Sequence, residues 1–317
     1  MVAPSFFRLW AAKDTHNTRG EDAREFLAFL QAVRDHTGSR LHLDLGAARH
    51  IVAAAGLVLK AELSYLASRG VRLSGTPPRS SRALQVFTQT GFCDLLGMAP
   101  ATHIDREDIV HWRHTSGVWT KTQPAHLLAL LDPEAAPNSE SLYQGVIETV
   151  ANCIEHAYMQ HSSRRPLADG QDGWWGFQQL RDGWLSTCIC DLGIGVKAAL
   201  PMTLAEEPDL LRKLLHVYRR TKGADTRALL AAVEMGRSRT KAPERGKGMK
   251  DAHQVIEDAG EGTFQFISGS AFYFYQRKPG SSSPVSGARR LKGSVGGTIS
   301  FWTFPVKSKS TPESLHE

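Results

Sequence analysis

The stretch that decides the fold runs from Ser186 to Val196 and reads STCICDLGIGV. STCIC is a short apolar run of strand character. With WWGFQQ before it and the turn RDG between, WLSTCIC reads as the second strand of a hairpin. The strand ends on an acid, Asp191, and Gly193 and Gly195 then free the backbone to approach a ligand closely. The same string fits a dinucleotide fingerprint, since Gly193, Gly195 and Ala198 make G-x-G-x-x-A. That reading requires a βαβ unit whose second strand ends in an acid about 20 residues on. The residues that follow, ALPMTLAEEPDLLRK, carry helical apolar spacing instead, and the string sits on a hairpin rather than opening the fold. A dinucleotide site is therefore disfavoured.

Upstream, LYQGVIETVANCIEHAY from Leu142 belongs to a long helix expected over Ser141 to about Gln160, with Ser139 or Ser141 as its cap. Glu148, Asn152 and Glu155 stand at i, i+4 and i+7, within about 60° of one face at ~100° per residue. Leu142, Val146, Val150, Ile154 and Ala157 occupy the other side, placed to pack on a sheet. By itself this polar face is equally that of a solvated amphipathic helix. Downstream, ERGKGMKDA runs Gly246 and Gly248 straight into a helix, so backbone N–H groups and the positive helix end can meet phosphate oxygens. Lys247 and Lys250 add charge there. No G-x-x-x-x-G-K-[ST] phosphate loop exists in the chain. Finally GGTISFWTF places Gly297 and Thr298 at the start of an apolar strand.

An acidic-Asn helix, then D-x-G-x-G, then G-x-G before a helix, then a G-T strand is the motif order of the gyrase/chaperone/histidine-kinase/MutL (GHKL) ATPases, which residues 124–306 resemble. The resemblance implies an α/β sandwich with a left-handed crossover, helices on one face of a mixed sheet, and ATP with Mg²⁺ as cofactors. On it, Asn152 ligates the metal through its side-chain carbonyl and Glu148 positions and deprotonates the attacking water or hydroxyl. Asp191 accepts a hydrogen bond from the adenine amino group, supported by Thr298, while Gly195 lets the base pack against the backbone and Gly193 joins the cofactor-binding set. Gly246, Lys247, Gly248 and Met249 wrap the phosphates. Glu155 joins the cofactor set, although its family counterpart varies in role. The string EHAY, with His156 after Glu155, looks like the anti-sigma-factor serine-kinase branch.

One departure stands out. About 55 residues separate Asp191 from Gly246, long for that compact branch. Within residues 196–245 lie two helix-like runs, Pro208–Tyr218 and Ala224–Met235. They are readable as an enlarged lid over bound nucleotide or as an inserted structural hairpin. Arg237, Arg239 and Arg245 are candidates to reach a terminal phosphate, and equally surface arginines.

Residues 1–98 have a different pattern. Phe26, Leu27, Phe29, Leu30 and Val33 recur at helical spacing. LHLDL alternates as a half-buried strand, Val52–Ala67 reads as a helix ended by Arg69-Gly70, VRLSG as a strand, and Ser80–Thr90 as a helix stopped by Gly91. This order implies a small α/β domain with at least two neighbouring parallel strands. It resembles the STAS domain of sulfate transporters and anti-sigma-factor antagonists. Where regulated antagonists carry a phosphoacceptor serine before a glycine, Ala54 and Ala55 precede Gly56, so the implied role is docking or dimerisation. Residues 99–123 are expected as a connector in which HWRHTSGVW adds a strand or merely crosses. A helix is expected near His126–Leu131, then the ATP-binding domain over 124–307 and a polar tail, 308–317.

At 317 residues, 41% hydrophobic and 22% charged, the chain has room for two globular domains. No apolar run reaches the roughly 18–20 residues of a membrane span. The opening MVAPSFFRLWAAKD lacks a basic leader and sustained apolar core, so no signal peptide is expected. Four cysteines, Cys93, Cys153, Cys188 and Cys190, form no close-spaced framework and are expected as reduced thiols in a cytoplasmic protein. The +6 charge is dispersed apart from the basic group at 237–250, which disfavours direct nucleic-acid binding. The expected function is a Mg-ATP-dependent ATPase switch in a bacterial regulatory or defence complex with a protein partner. The alternatives are an anti-sigma-type protein-serine kinase acting on a STAS-like partner and a non-hydrolysing ATP sensor. Homodimerisation is left open.

Overall fold

The computed structural model describes residues 1–10, 18–106, 109, 112–118, 139–158, 173–205, 207–238 and 248–306. The expected helix at 126–131, the tail at 308–317, Gly246, Lys247, Arg239, Arg245 and the side chains of Ile154 and Arg237 lie outside the described residues.

The N-terminal unit forms first along the chain. It comprises β1 (Phe6–Phe7), α1 (Thr18–Arg34), β2 (Arg40–Asp44), β3 (His50–Ile51), α2 (Ala53–Ser68), β4 (Arg72–Thr76), α3 (Ser81–Gln89) and α4 (Phe92–Leu95). β2 and β4 pair in parallel from Arg40↔Arg72 to Asp44↔Thr76, and β1 pairs in parallel with β3. Local chemistry sets the helix ends. The Ser80 hydroxyl accepts from the Ala83 N–H at 3.4 Å at the start of α3, and Gly91 follows that helix with a left-handed φ of 74°.

The second unit is a seven-stranded sheet flanked by helices. Its strands are β5 (Trp112–Val118), β6 (Gly173–Arg181), β7 (Trp184–Asp191), β8 (Gly262–Ser268), β9 (Ala271–Arg277), β10 (Val285–Arg290) and β11 (Thr298–Pro305), in spatial order β10-β9-β8-β11-β7-β6-β5. The β6–β7 hairpin turns on Asp182 and Gly183, whose φ angles of 50° and 73° match the positive values a two-residue hairpin loop requires. Every pairing in this sheet is antiparallel, correcting the expected mixed sheet. The reason lies in β11, which inserts between β7 and β8 and is antiparallel to both. Those two strands run the same way without touching, and the long crossover between them yields no parallel ladder.

Of two spans outside the expected main strands, one takes the strand alternative left open for it and the other is a strand where a loop was expected. Trp112–Val118, within the expected connector 99–123, pairs along β6 and forms one edge of the sheet. Val285–Arg290, read as a Gly/Ser/Arg-rich loop, forms the other edge on β9. It lacks apolar alternation because both its faces are largely open to solvent, so ladder hydrogen bonds hold it.

The helices of this unit are α5 (Ser139–Asn152), continued by a π-helical turn Cys153–Ala157, then α6 (Gly195–Thr203), α7 (Pro208–Val217), α8 (Ala224–Ser238) and α9 (Gly248–Ala259). Strand periodicity sorts the side chains. Leu185 and Ile189 of β7 and Trp302 and Phe304 of β11 face Leu142, Val146 and Val150 of α5 and Val255 and Ile256 of α9. The alternate residues Trp175, Phe177, Cys188, Cys190 and Ile299 face α2 of the N-terminal unit. Buried on nearly every side, α2 therefore has no polar stripe, and Ala54 and Ala55 are both 0% exposed. The four cysteines are free and buried, as packing residues. Among the described residues no helix is long and apolar enough to cross a membrane.

Candidate functional site

The helix-covered face of the sheet holds a cavity of about 540 Å³ between α5, α6, α8, α9 and the ends of β7 and β11. Its position follows from the same alternation. Leu185 and Ile189 fill the core beneath the helices, so Asp191, two residues further along β7, arrives on that face at the strand's open end. On β11, Thr298 and Ser300 share the face of Trp302, and both line the cavity.

Asp191 is 1% exposed. Its Oδ1 accepts the Gly193 N–H at 2.8 Å and the Thr298 N–H at 3.3 Å. Its Oδ2 accepts the Thr298 hydroxyl and, at 3.5 Å, the Cys153 thiol. Burial pushes the carboxyl above its ordinary range, while the bonds from Thr298, Gly193 and Cys153 pull the other way. A carboxylate offers about four lone-pair sites, and a thiol is a weak donor. The Cys153 contact is therefore the one that a ligand N–H would most readily displace.

The α5 wall supplies Glu148, Thr149 and Asn152, one above another on the helix face. At Asn152 the α-helix gives way to the π turn, whose wider winding carries Glu155, His156 and Ala157 along the cavity. α9 begins on the same cavity with Gly248 and Met249. A Cβ added at Gly248 would lie 2.6 Å from the Asn152 side-chain nitrogen, so the glycine lets that amide sit where it does against the start of the helix. The first-turn N–H groups and the positive end of the α9 dipole lie where an anion would be stabilised. The Gln144 amide donates to Glu148 at 3.4 Å.

Eight of the sequence-selected positions thus share one cavity: Glu148, Asn152, Glu155, Asp191, Gly195, Gly248, Met249 and Thr298. Gly193 stands just behind the residues that line the cavity. A Cβ there would lie 2.3 Å from the Ala157 carbonyl oxygen, so glycine is required by packing between the β7 end and the π turn. Gly195, with φ of 73° and a hypothetical Cβ 3.0 Å from the Ser268 hydroxyl, does line it.

The insertion after Asp191 is, over residues 207–238, a helical hairpin. Leu200, Leu204, Leu214, Ala228 and Ala231 form its own small core, and Leu229 and Val233 of α8 join the main one. Ala232 and Met235 of α8 wall the cavity. Sequence reading missed these two, as well as Ser300, Phe264 and Phe266. Period-two counting from Thr298 finds Ser300; nothing local marks the α8 residues, which reach the site only through tertiary packing.

Among the described residues no group of three or more His, Cys, Asp or Glu is arranged to hold a metal. The Asn152 carbonyl with Glu148 one turn away suits a Mg²⁺ ion that takes most of its ligands from phosphates and water. No protein-family model and no curated protein matches the chain.

Proposed function

We propose that the chain is a Mg-ATP-binding ATPase of the GHKL type whose nucleotide state acts as a switch for a protein partner. The observation that carries this reading is the single cavity shared by a buried, Thr298-supported Asp191 and an Asn152–Glu148 pair at the start of α9. A carboxylate there accepts from the adenine amino group and meets the carbonyl of guanine with an unpaired acceptor, which is costly in a dry site. Asn152 and the first turn of α9 would take the metal and the phosphates. Mg²⁺ would neutralise charge developing on the transferred phosphoryl group, while Glu148 would orient the attacking oxygen and accept its proton.

Calorimetry with a non-hydrolysable ATP analogue, with and without Mg²⁺, tests binding. Heat that depends on adenine and is strengthened by Mg²⁺ supports the reading, and no heat with any adenine nucleotide ends it. For turnover, Glu148→Ala is expected to lower phosphate release by about a hundredfold or more while the analogue still binds.

The serine-kinase alternative has the EHAY string in its favour, and Glu155 and His156 both line the cavity. Transfer to this chain's own STAS-like unit is disfavoured, because Ala54 and Ala55 lack a hydroxyl and are buried against the sheet. Incubation with labelled ATP and a separate STAS-like protein distinguishes transfer to protein from release to water. Binding with no turnover, partners included, would leave the non-hydrolysing sensor.

A further inference from the structure

The loop 291–297 leads into Thr298 and is held from two sides. On the pocket side, Gly297 lies so close to β7 that a Cβ would stand 2.0 Å from the Asp191 carbonyl oxygen. The Gly269 N–H donates to the Gly297 carbonyl at 3.3 Å, and the Val295 N–H donates to the Gly269 carbonyl at 3.0 Å. The adjacent Ser268 hydroxyl accepts the Val196 N–H at 2.8 Å, beside Gly195 in the cavity wall. The loop thus ties both edges of the region around Asp191.

On the other side stands α1 of the N-terminal unit. Arg34 donates through Nε to Glu62 of α2 at 2.8 Å and through Nη2 to the Val295 carbonyl at 2.6 Å. Its Nη1 donates to Gln31 at 3.0 Å and lies 3.5 Å from the Ser294 carbonyl. Glu62 is 0% exposed and the Arg34 side chain 13%. Gly296, with φ of 79°, passes so close that a Cβ would fall 2.3 Å from the guanidinium carbon. Leu291 and Val295 are buried in the core that the N-terminal unit shares with the sheet. Only a planar fork with five donors serves a carboxylate and backbone carbonyls at once, and a lysine cannot.

We propose that Arg34 is a positioning residue for the base-reading end of the cavity: by fixing loop 291–297 it sets Thr298 against Asp191, so the N-terminal unit governs adenine affinity without touching the nucleotide. This rests on the reading of Asp191 as the adenine acceptor. The effect falls on the base and not on the phosphates, because the tether ends at Thr298 and reaches neither Asn152 nor α9.

The test uses the full chain carrying Arg34→Met together with Glu62→Met, which removes the buried charges as a pair and so avoids stranding one of them. Arg34→Lys is the second variant. It keeps a cation beside Glu62 but cannot span the carbonyls. Calorimetry with adenosine, ADP and Mg-ATP is expected to show the same loss, about tenfold, for all three ligands in the double variant. Arg34→Lys should show a smaller loss, again equal across the three, while Asn152→Ala weakens Mg-ATP alone. Unchanged affinities in either folded variant, or a loss confined to Mg-ATP, overturn the proposal. Amide hydrogen exchange separates its failure from that of the nucleotide reading. The peptide 291–299 should lose protection in the double variant while 142–152 keeps it. Unaltered exchange at 291–299 overturns the tether whether or not nucleotide binds, and a wild-type chain blind to adenosine, ADP and ATP overturns the nucleotide reading itself.

Discussion

The two faces of the seven-stranded sheet are made from the same strands, yet they behave as different materials. On β7, Leu185, Ile189 and Asp191 alternate with Cys188 and Cys190; on β11, Trp302, Ser300 and Thr298 alternate with Ile299 and Phe301. The face under α5 and α9 is mostly apolar in its middle, apart from the buried Gln178–Thr187 pair, and turns polar at one end, where strand ends and helix starts leave a cavity. On the face under α2, Trp175, Phe177, Cys188, Cys190 and Ile299 are apolar where they join the core with that helix. Ser186, Gln265 and Thr303 lie further along the same face, and the buried charge on α2, Glu62, is answered by Arg34. The lesson is that a site forms where a sheet face runs out of covering helix. Where α2 covers the other face, that face becomes a domain interface.

The largest effects should come from the packed centres. Trp302→Ala on the cavity face is expected to cost about 3–5 kcal/mol, and Leu59→Ala on the α2 face about 2–5 kcal/mol. Chemical denaturation checks both. If the two faces form one cooperative structure, each variant should shift a single transition. Separate transitions, with Leu59→Ala moving only one, would show that the α2 face joins two independently folding units.

Next comes the cavity's polar end. Asp191→Asn is expected to weaken adenine binding by about 2–3 kcal/mol, since it replaces a charged acceptor with an amide. Acidification should do the same to the wild type. Burial raises the folded-state pKa of Asp191, so binding should fade on acidification at a higher pH than an exposed carboxylate would give. The sign for stability is opposite. A raised folded pKa contributes stability that is full below the unfolded value and is lost as pH rises through the folded one. Titrating binding and unfolding of wild type and Asp191→Asn across the acid range checks both signs.

The α2 face has its own titrating group. Lys60 is largely buried beside Thr90, and burial brings its pKa from 10.5 down to about 8 despite Asp94 nearby. A depressed folded pKa means stability is gained between pH about 8 and 10.5, by at most about 3 kcal/mol, and is lost as pH falls back through about 8. Denaturation midpoints across that range should rise in the wild type and stay flatter in Lys60→Met. The smallest effect belongs to Glu155, whose side chain is 70% exposed. Glu155→Ala should alter nucleotide affinity by less than about twofold, in keeping with the small worth of exposed charges.

How much was legible in advance follows from these residues. Helical spacing found α5 and its Glu148–Asn152 face. Short apolar runs bounded by turn or glycine signals found β7 and β11, and the glycine-plus-helix pattern found the start of α9. All of these are local patterns. The edge strand β10 escaped because an open edge imposes no apolar alternation. The packing at Gly193 was not legible because its crowding comes from Ala157, 36 residues earlier in sequence.

By itself the sequence determined most of the periodic elements and marked Glu148, Asn152, Asp191 and Gly248, which share the cavity, because each pattern depends on neighbours within a few residues along the chain. The start of α5 was not among them, since the helix already includes Ser139, one of the two expected caps. Tertiary structure alone decided that β11 separates β7 from β8, that α8 walls the cavity, and that α2 seals the opposite face while Arg34 grips the loop before Thr298. Those outcomes rest on contacts between segments as distant as Arg34 and Val295. No local propensity encodes such contacts; they form only when the whole chain buries its apolar faces together.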